Sequence, residues 1–189
     1  MRKRSIINLS EPSLKGNELK YVKKCIKDEW VSSSGNFVNK FEKKISKYTN
    51  AKYAIACING TSALHIALKL AGVKKDDEVI VPTLTFIAPI NAIYYNNAIP
   101  VFMDADDSHN IDVQKTMQFI REETFYKNGS TYNKKTKNRI SAIIPVHVWG
   151  NAVCFDELYN LCSERNILIV EDASESLGTK YSKGIFSKK

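Results

Sequence analysis

The stretch ILIVEDASESLG, Ile167 to Gly178, decides the fold. Its first four residues, Ile167-Leu168-Ile169-Val170, form an unbroken apolar run. Such a run reads as a strand buried on both faces, the habit of parallel sheets rather than of antiparallel sheets with a wet side. Glu171, Asp172 and Glu175 follow at once, and carboxylates are costly to bury without partners. In open α/β sheets, ligands bind just outside the carboxyl ends of the strands. The acidic cluster therefore stands where a ligand is expected.

The rest of the chain supplies the sheet. Helical spacing is predicted over 18–28, with Leu19, Val22, Cys25 and Ile26 on one face, and over about 36–48, with Phe37, Phe41, Ile45 and Tyr48 as its stripe. The stretch Trp30 to Gly35 between them reads as a loop. Beyond residue 50 the pattern changes to strand 53–58, helix 61–71 stopped by Gly72, strand 78–81, helix 86–95 and strand 99–103. Residues 113–121 have helical spacing, while 122–138 is polar, with Asn128-Gly129 as a turn, and reads as an exposed excursion. Strand 140–148, helix 155–164 and strand 167–171 complete the alternation. The class is α/β, a mostly parallel sheet flanked by helices with right-handed crossovers. An N-terminal helical segment, 1–50, precedes a single α/β domain, 51–189.

Composition narrows the function classes. The chain has 189 residues, 43% hydrophobic and 25% charged, which is globular usage with room for one proper core. No stretch approaches the roughly 20 apolar residues of a membrane span. The basic start, Met1 to Ser5, has no apolar signal core behind it, so a cytoplasmic protein is expected. The net charge of +8 is spread out, with pairs at Lys23-Lys24, Lys43-Lys44 and Lys134-Lys135. No ladder of aromatic and basic residues accompanies it, which disfavours nucleic acid; a solvated basic surface or a phosphate-bearing small substrate suits it better. Cys25, Cys57, Cys154 and Cys162 show no metal-type pairing and read as buried free thiols in a reducing compartment. No metal site is expected.

Several short motifs carry chemistry. Asn59-Gly60-Thr61-Ser62 stands between a strand and a helix, where free backbone N–H groups and hydroxyls suit a phosphate. The same residues also read as ordinary helix capping, and no Walker lysine follows. Phe86, after the strand at 78–81, lies where a ring could cover a flat ligand, or could be a core aromatic. Asp172 beside a pyridine nitrogen would keep that nitrogen protonated and make the ring an electron sink. With Glu175 three residues on, it also has the form of a capping box. His147 ends a strand, a position where structural histidines are common.

Taken together, NGTSALHIAL, DDEVIVPTLTFIAPINAI, PVFMDAD, AIIPVHVWGNA and IVEDASESLG occur in this order along nearly the whole chain. They resemble the DegT/DnrJ/StrS family of pyridoxal-phosphate-dependent sugar aminotransferases, which have the type I aminotransferase fold. The segments YKNGSTYNKK, ISAIIPVHVWGNAV and EDASESLG resemble the branch serving legionaminic acid and bacillosamine synthesis. The resemblance implies pyridoxal 5'-phosphate as cofactor. Its phosphate would be cradled by Gly60, Thr61 and Ser62 and its ring stacked by Phe86. Asp172 would pair with the pyridinium nitrogen and Glu175 would lie near the phenolic oxygen, with His147 close by. It implies a UDP-linked 4-keto-6-deoxy-N-acetylhexosamine as substrate, glutamate as amino donor, and a homodimer.

The family also needs a lysine that forms a Schiff base with the cofactor, in a motif like SFNGNK. Lys183, Lys188 and Lys189 do not fit that motif. The expectation is therefore a truncated large domain, with the Schiff-base lysine and the C-terminal small domain outside the chain. Such a piece would be inactive alone, marginally folded and able to hold the cofactor without a covalent link. The alternatives are a non-catalytic fragment pairing with an intact paralogue, or a pyridoxal-phosphate-dependent sugar dehydratase with histidine in place of that lysine. A generic nucleotide-binding domain is disfavoured by the lack of a Gly-x-Gly-x-x-Gly fingerprint.

Overall fold

A computed structural model describes residues 7–8 and 11–181. The basic start and Lys183, Lys188 and Lys189 lie outside the described residues. The chain divides into two compact units, Met1–Ile55 and Ala56–Lys189.

In the first unit the amphipathic spacing yields α1, Glu18–Lys27, and α2, Asn36–Thr49. Gly35, at φ 143°, precedes α2, and the Trp30 side chain leaves no room there for a Cβ. Trp30 Nε1 donates to the Ser34 carbonyl at 2.7 Å, closing the loop. Tyr21 and Phe37 meet with ring centroids 5.4 Å apart. Neither helix buries a residue: Leu19, Val22, Ile26, Phe41 and Tyr48 are exposed, and Cys25, Phe37 and Ile45 are half-buried.

The second unit holds a six-stranded sheet. Its strands are β1, Glu78–Pro82; β2, Ile99–Met103; β3, Thr124–Lys127; β4, Ser130–Asn133; β5, Arg139–Ile143; and β6, Leu168–Ile169. The order is β2-β1-β5-β4-β3, with β6 also paired to β5. β1 lies parallel to β2 and β5, and β5 parallel to β6. The helices are α3, Gly60–Leu70; α4, Ile87–Tyr95; α5, Val113–Glu122; and α6, Asp156–Glu164. β1 is buried along its whole length. Val79 and Val81 join Leu64, Leu68 and Ile93 in one core, while Ile80 joins Ile120, Ile143, Phe155 and Leu158 in the other. A central strand covered on both faces is apolar through its interior, which is why Val79-Ile80-Val81 does not alternate.

Several expectations are corrected. Residues 53–58 form no strand: Tyr53, Ile55 and Ile58 are exposed, and no strand among the described residues offers that segment a ladder. The polar stretch 122–138 is not a loose excursion but the antiparallel hairpin β3–β4, so the sheet is mixed. Asn128 and Gly129, at φ 51° and 78°, make the two-residue turn that left-handed backbone allows. Thr131 and Asn133 are buried by pairing, the first donating to the Arg165 carbonyl at 2.6 Å.

The run at Ile167 gives only a short strand. Ile167 and Ile169 pack toward α6, but Leu168 is 46% exposed, because no element among the described residues covers its other side. Finally, of the four free cysteines only Cys162 is buried; Cys25 is half-buried, and Cys57 and Cys154 are exposed. Cys57 loses its expected burial along with the missing strand. No helix among the described residues is long and apolar enough to cross a membrane.

Pairing continues past the ends of β5 and β6, and this builds the site. Val170 N–H donates to the Ile143 carbonyl at 3.0 Å, and Asp172 N–H to that of Pro145 at 2.9 Å. His147 N–H donates back to the Asp172 carbonyl at 3.2 Å. Pro145 interrupts the regular ladder, so the expected strand 140–148 ends at Ile143 and resumes as a single bridge between Val146 and Asp172.

Candidate functional site

The cleft opens at the carboxyl ends of β1, β5 and β6, where the crossover rule expects a ligand. It has two chambers, of about 120 and 190 Å3, which share a wall of Thr85, Phe86, Val146 and Glu175. The smaller is completed by His147, Asp172 and Ser174. The larger is completed by Leu84, Val148 and Trp149.

Asp172 is buried at the floor of the smaller chamber. Its Oδ1 accepts from Ser174 Oγ at 2.6 Å and from Ser174 N–H at 3.1 Å. The other carboxylate oxygen keeps its acceptor capacity for a ligand, and the bonds on Oδ1 hold the group in one rotamer. The capping-box form read in the sequence does not arise, since Asp172 opens no helix and Glu175 turns elsewhere.

His147 is buried and held at both ring nitrogens. Val153 N–H donates to Nδ1 at 3.1 Å, so the proton sits on Nε2, which faces Glu171 Oε2 at 3.1 Å. The ring stands edge-on to Phe155 with centroids 5.7 Å apart. Both ring nitrogens are engaged, and the residue lines the smaller chamber.

α3 begins beside this floor. Asn59 caps it, its side chain accepting from Ser62 N–H at 2.8 Å. The Gly60 and Thr61 amides remain free of intrahelical partners, as the first turn of any helix requires. A Cβ on Gly60 would lie 3.5 Å from Ser174 Oγ, so the helix start and the Asp172 loop are neighbours. The capping and the anion-site readings of Asn59 to Ser62 thus coexist: Asn59 caps, and the residues after it stay available. Phe86, at the N-cap of α4, is 76% exposed, so its ring belongs to the cleft wall and not to the core. Phe86, His147, Asp172 and Glu175 line one cleft, and Gly60 lies beside it, next to Ser174. Thr61 and Ser62 follow on the first turn of α3, outside the cleft lining.

Three participants carried no signal in the sequence. Thr85 lines both chambers, while its hydroxyl is buried without a partner. Trp149 sits at φ 52°, ψ 27°, a left-handed conformation that costs a non-glycine residue roughly 1–2 kcal/mol. It is nevertheless 70% exposed. Asn110, 2% exposed, holds the turn: its Oδ1 accepts from Val148 N–H at 3.0 Å and its Nδ2 donates to the Asn151 carbonyl at 3.2 Å. Glu175 Oε2 accepts from Trp149 N–H at 2.7 Å. Only pairing across 26 or more positions in sequence makes these contacts, so no local pattern announces them.

A cleft at the carboxyl ends of parallel strands, with a braced carboxylate, a free helix start and an exposed ring, has the form of a ligand site in an α/β fold. The chain belongs to the DegT/DnrJ/EryC1/StrS aminotransferase family, whose pattern matches residues 12–188. It is 39% identical over 175 residues to GDP-perosamine synthase of Escherichia coli O157:H7, covering 93% of this chain and 44% of that protein. It is 35% identical to the putative pyridoxal phosphate-dependent aminotransferase EpsN of Bacillus subtilis, covering 93% of this chain and 43% of that one. Among solved structures, a DegT DnrJ EryC1 StrS aminotransferase from Brucella abortus superposes with a TM-score of 0.75 at 30% identity, covering 85% of this chain and 40% of that chain. The chain thus spans less than half the length of the curated relatives it matches.

Proposed function

We propose that this chain forms the cofactor-binding part of a pyridoxal-phosphate-dependent aminotransferase acting on a nucleotide-linked keto sugar. The observation that carries the reading is the buried Asp172 carboxylate, braced by Ser174 on one oxygen and free on the other, in a chamber that the exposed Phe86 also lines. The residues present fit the cofactor. Gly60 and Thr61 offer amides, and Thr61 and Ser62 offer hydroxyls, for a phosphate. Asp172 would hold a proton on the pyridine nitrogen, and Phe86 would cover one ring face. His147 keeps the loop carrying Asp172 in place through Glu171 and Val153. When bound, pyridoxal phosphate supplies an electron sink.

The relatives' names support an amino-sugar product, one of them GDP-linked. The acceptor in this reading is a nucleotide-linked 4-keto-6-deoxyhexose, the donor glutamate, and the assembly a homodimer in the cytoplasm. The test is a titration of the chain with pyridoxal phosphate, followed by its visible absorbance. Saturable binding is expected, with Asp172→Asn weakening it at least about tenfold, since a neutral amide cannot hold the pyridinium proton. Equal affinity in the variant would sink the reading. Among the described residues no lysine lines the cleft.

A further inference from the structure

We propose that Asn110 is a positioning residue for the cofactor cleft, acting on Glu175 through the backbone of Trp149, an inference that rests on the cofactor reading above. Asn110 lies in the loop between β2 and α5, with both backbone groups and both side-chain heteroatoms engaged. Its N–H donates to Asp106 Oδ1 at 3.2 Å, and its carbonyl accepts from Asp106 N–H at 2.8 Å. Asp106 is itself fixed, since the same Oδ1 accepts from Ser108 N–H at 2.8 Å and from Ser108 Oγ at 2.6 Å. From this anchored loop the Asn110 side chain spans to the turn after β5. Its Oδ1 takes Val148 N–H and its Nδ2 donates to the Asn151 carbonyl. Among neutral side chains this short, only the amide of Asn carries its donor and its acceptor on separate atoms.

What these bonds hold is a strained turn. Trp149 occupies left-handed backbone that its own Cβ disfavours, and burial does not keep it there, because the residue is 70% exposed. Thr179 Oγ1 adds a bond to the Gly150 carbonyl at 2.9 Å, and His109 flanks the indole with ring centroids 5.0 Å apart. The strain has a result at the cleft: in this conformation Trp149 N–H meets Glu175 Oε2 at 2.7 Å. Glu175 lies in the wall that the two chambers share, and its side chain is exposed. An exposed glutamate is free to sample several rotamers, and a charge-assisted bond to a fixed amide selects one of them. The carboxylate is therefore ordered only while Asn110 keeps that amide in place. Without Asn110 the turn can relax to unstrained backbone, carry the Trp149 N–H away and leave Glu175 unplaced. In the cofactor reading Glu175 lies near the phenolic oxygen of the ring, so its placement bears on how that oxygen ionises.

The experiment is a double-mutant cycle on the full chain, read by pyridoxal phosphate affinity and by the pH dependence of the bound cofactor's visible absorbance. Asn110→Ala and Glu175→Ala should each weaken binding about tenfold, and the double variant should bind no worse than Glu175→Ala. Both single variants should move the midpoint of the absorbance change in the same direction. A loss of about a hundredfold in the double variant, the product of independent effects, overturns the proposal, as does wild-type affinity in Asn110→Ala. Thr179→Val, at an exposed position, removes another bond to the same turn and serves if Asn110→Ala does not fold. It should weaken binding about threefold in the parent and not at all beside Glu175→Ala; equal losses in both backgrounds, or none in the parent, overturn the proposal. Amide hydrogen exchange on cofactor-free samples gives an independent reading. Trp149 N–H should exchange about tenfold faster in Asn110→Ala, while Ser174 N–H, held by Asp172, keeps its rate; an unchanged Trp149 rate overturns the positioning role. A wild-type chain that binds no pyridoxal phosphate sinks the cofactor reading, and the exchange rates then decide by themselves whether Asn110 places Glu175.

Discussion

At the scale of single residues, chemistry follows from which neighbours each group finds. Cys162 and Tyr181 are the clearest cases. Burial pushes the Cys162 thiol from 9.0 up to about 12, and burial, helped by nearby Glu171, pushes the Tyr181 hydroxyl from 10.0 up to about 12. Both groups are neutral acids that the fold keeps protonated longer than the unfolded chain does. Their contribution to stability is complete below pH 9 and is lost as pH rises from 9 through 12. Urea midpoints should therefore fall across that window, and Cys162→Ala should flatten the fall whatever it costs at neutral pH. An unchanged slope in the variant would count against the burial argument. At neutral pH a thiol reagent should modify Cys57 and Cys154 quickly and leave Cys162 untouched in the folded chain. Of the site, Gly60, Phe86, His147, Asp172 and Glu175 could be picked out in the sequence because each stands at the end of a recognisable strand or the start of a helix. Thr85, Asn110 and Trp149 could not, since an orphaned hydroxyl, a buried amide and a left-handed backbone exist only once distant segments meet.

At the scale of elements, α3 and the hairpin show how local signals and tertiary pairing share the work. Asn59 supplies the single side-chain cap of α3, and Asn59→Ala should cost about 1 kcal/mol, read as a lower urea midpoint. A variant as stable as the parent would mean that packing of Leu64 and Leu68 alone fixes the start of the helix. The hairpin β3–β4 depends on its turn: at φ 78°, Gly129 occupies backbone that alanine enters at a cost. Gly129→Ala should destabilise by roughly 1 kcal/mol, and no loss would show that the hairpin tolerates another turn. That hairpin also hides Glu78, which is 1% exposed and accepts from Asn133 Nδ2 at 2.8 Å and Thr136 Oγ1 at 2.6 Å. Beside it, Arg139 pairs with Asp77 through Nε at 2.9 Å and donates to the Gly72 carbonyl at 2.7 Å. The bond to Asp77 holds the Arg139 guanidinium even more firmly protonated than usual. Polar composition alone made 122–138 look like a loop; two of its polar residues, Asn133 and Thr136, are instead partners for the Glu78 carboxylate at the start of β1.

At the scale of the whole molecule, the two units differ in how they are held. The described residues of Met1–Ile55 include none that is buried, whereas Ala56–Lys189 carries both cores. Limited proteolysis should cut first within the helical unit and leave a persistent fragment beginning near Ala56, since cleavage follows local opening. Simultaneous digestion of both units would contradict this. Retention of pyridoxal phosphate by that fragment would place the cofactor contacts wholly in the second unit, as the cleft geometry requires.

The sequence by itself determined the α/β class, the helices, the buried central strand and the family, because apolar periodicity and ordered short motifs are local properties of a chain. It placed Asp172 at a strand end and Asn59 at a helix start for the same reason. Only the tertiary structure decided that residues 53–58 lack a ladder, that the polar excursion is a hairpin, and that Leu168 stays open to solvent. It alone decided that Asn110, Glu175 and Thr179 converge on the turn of Trp149. Strands need partners, burial needs cover, and a strained turn needs distant bonds to hold it, so each of these depends on which segments meet in space.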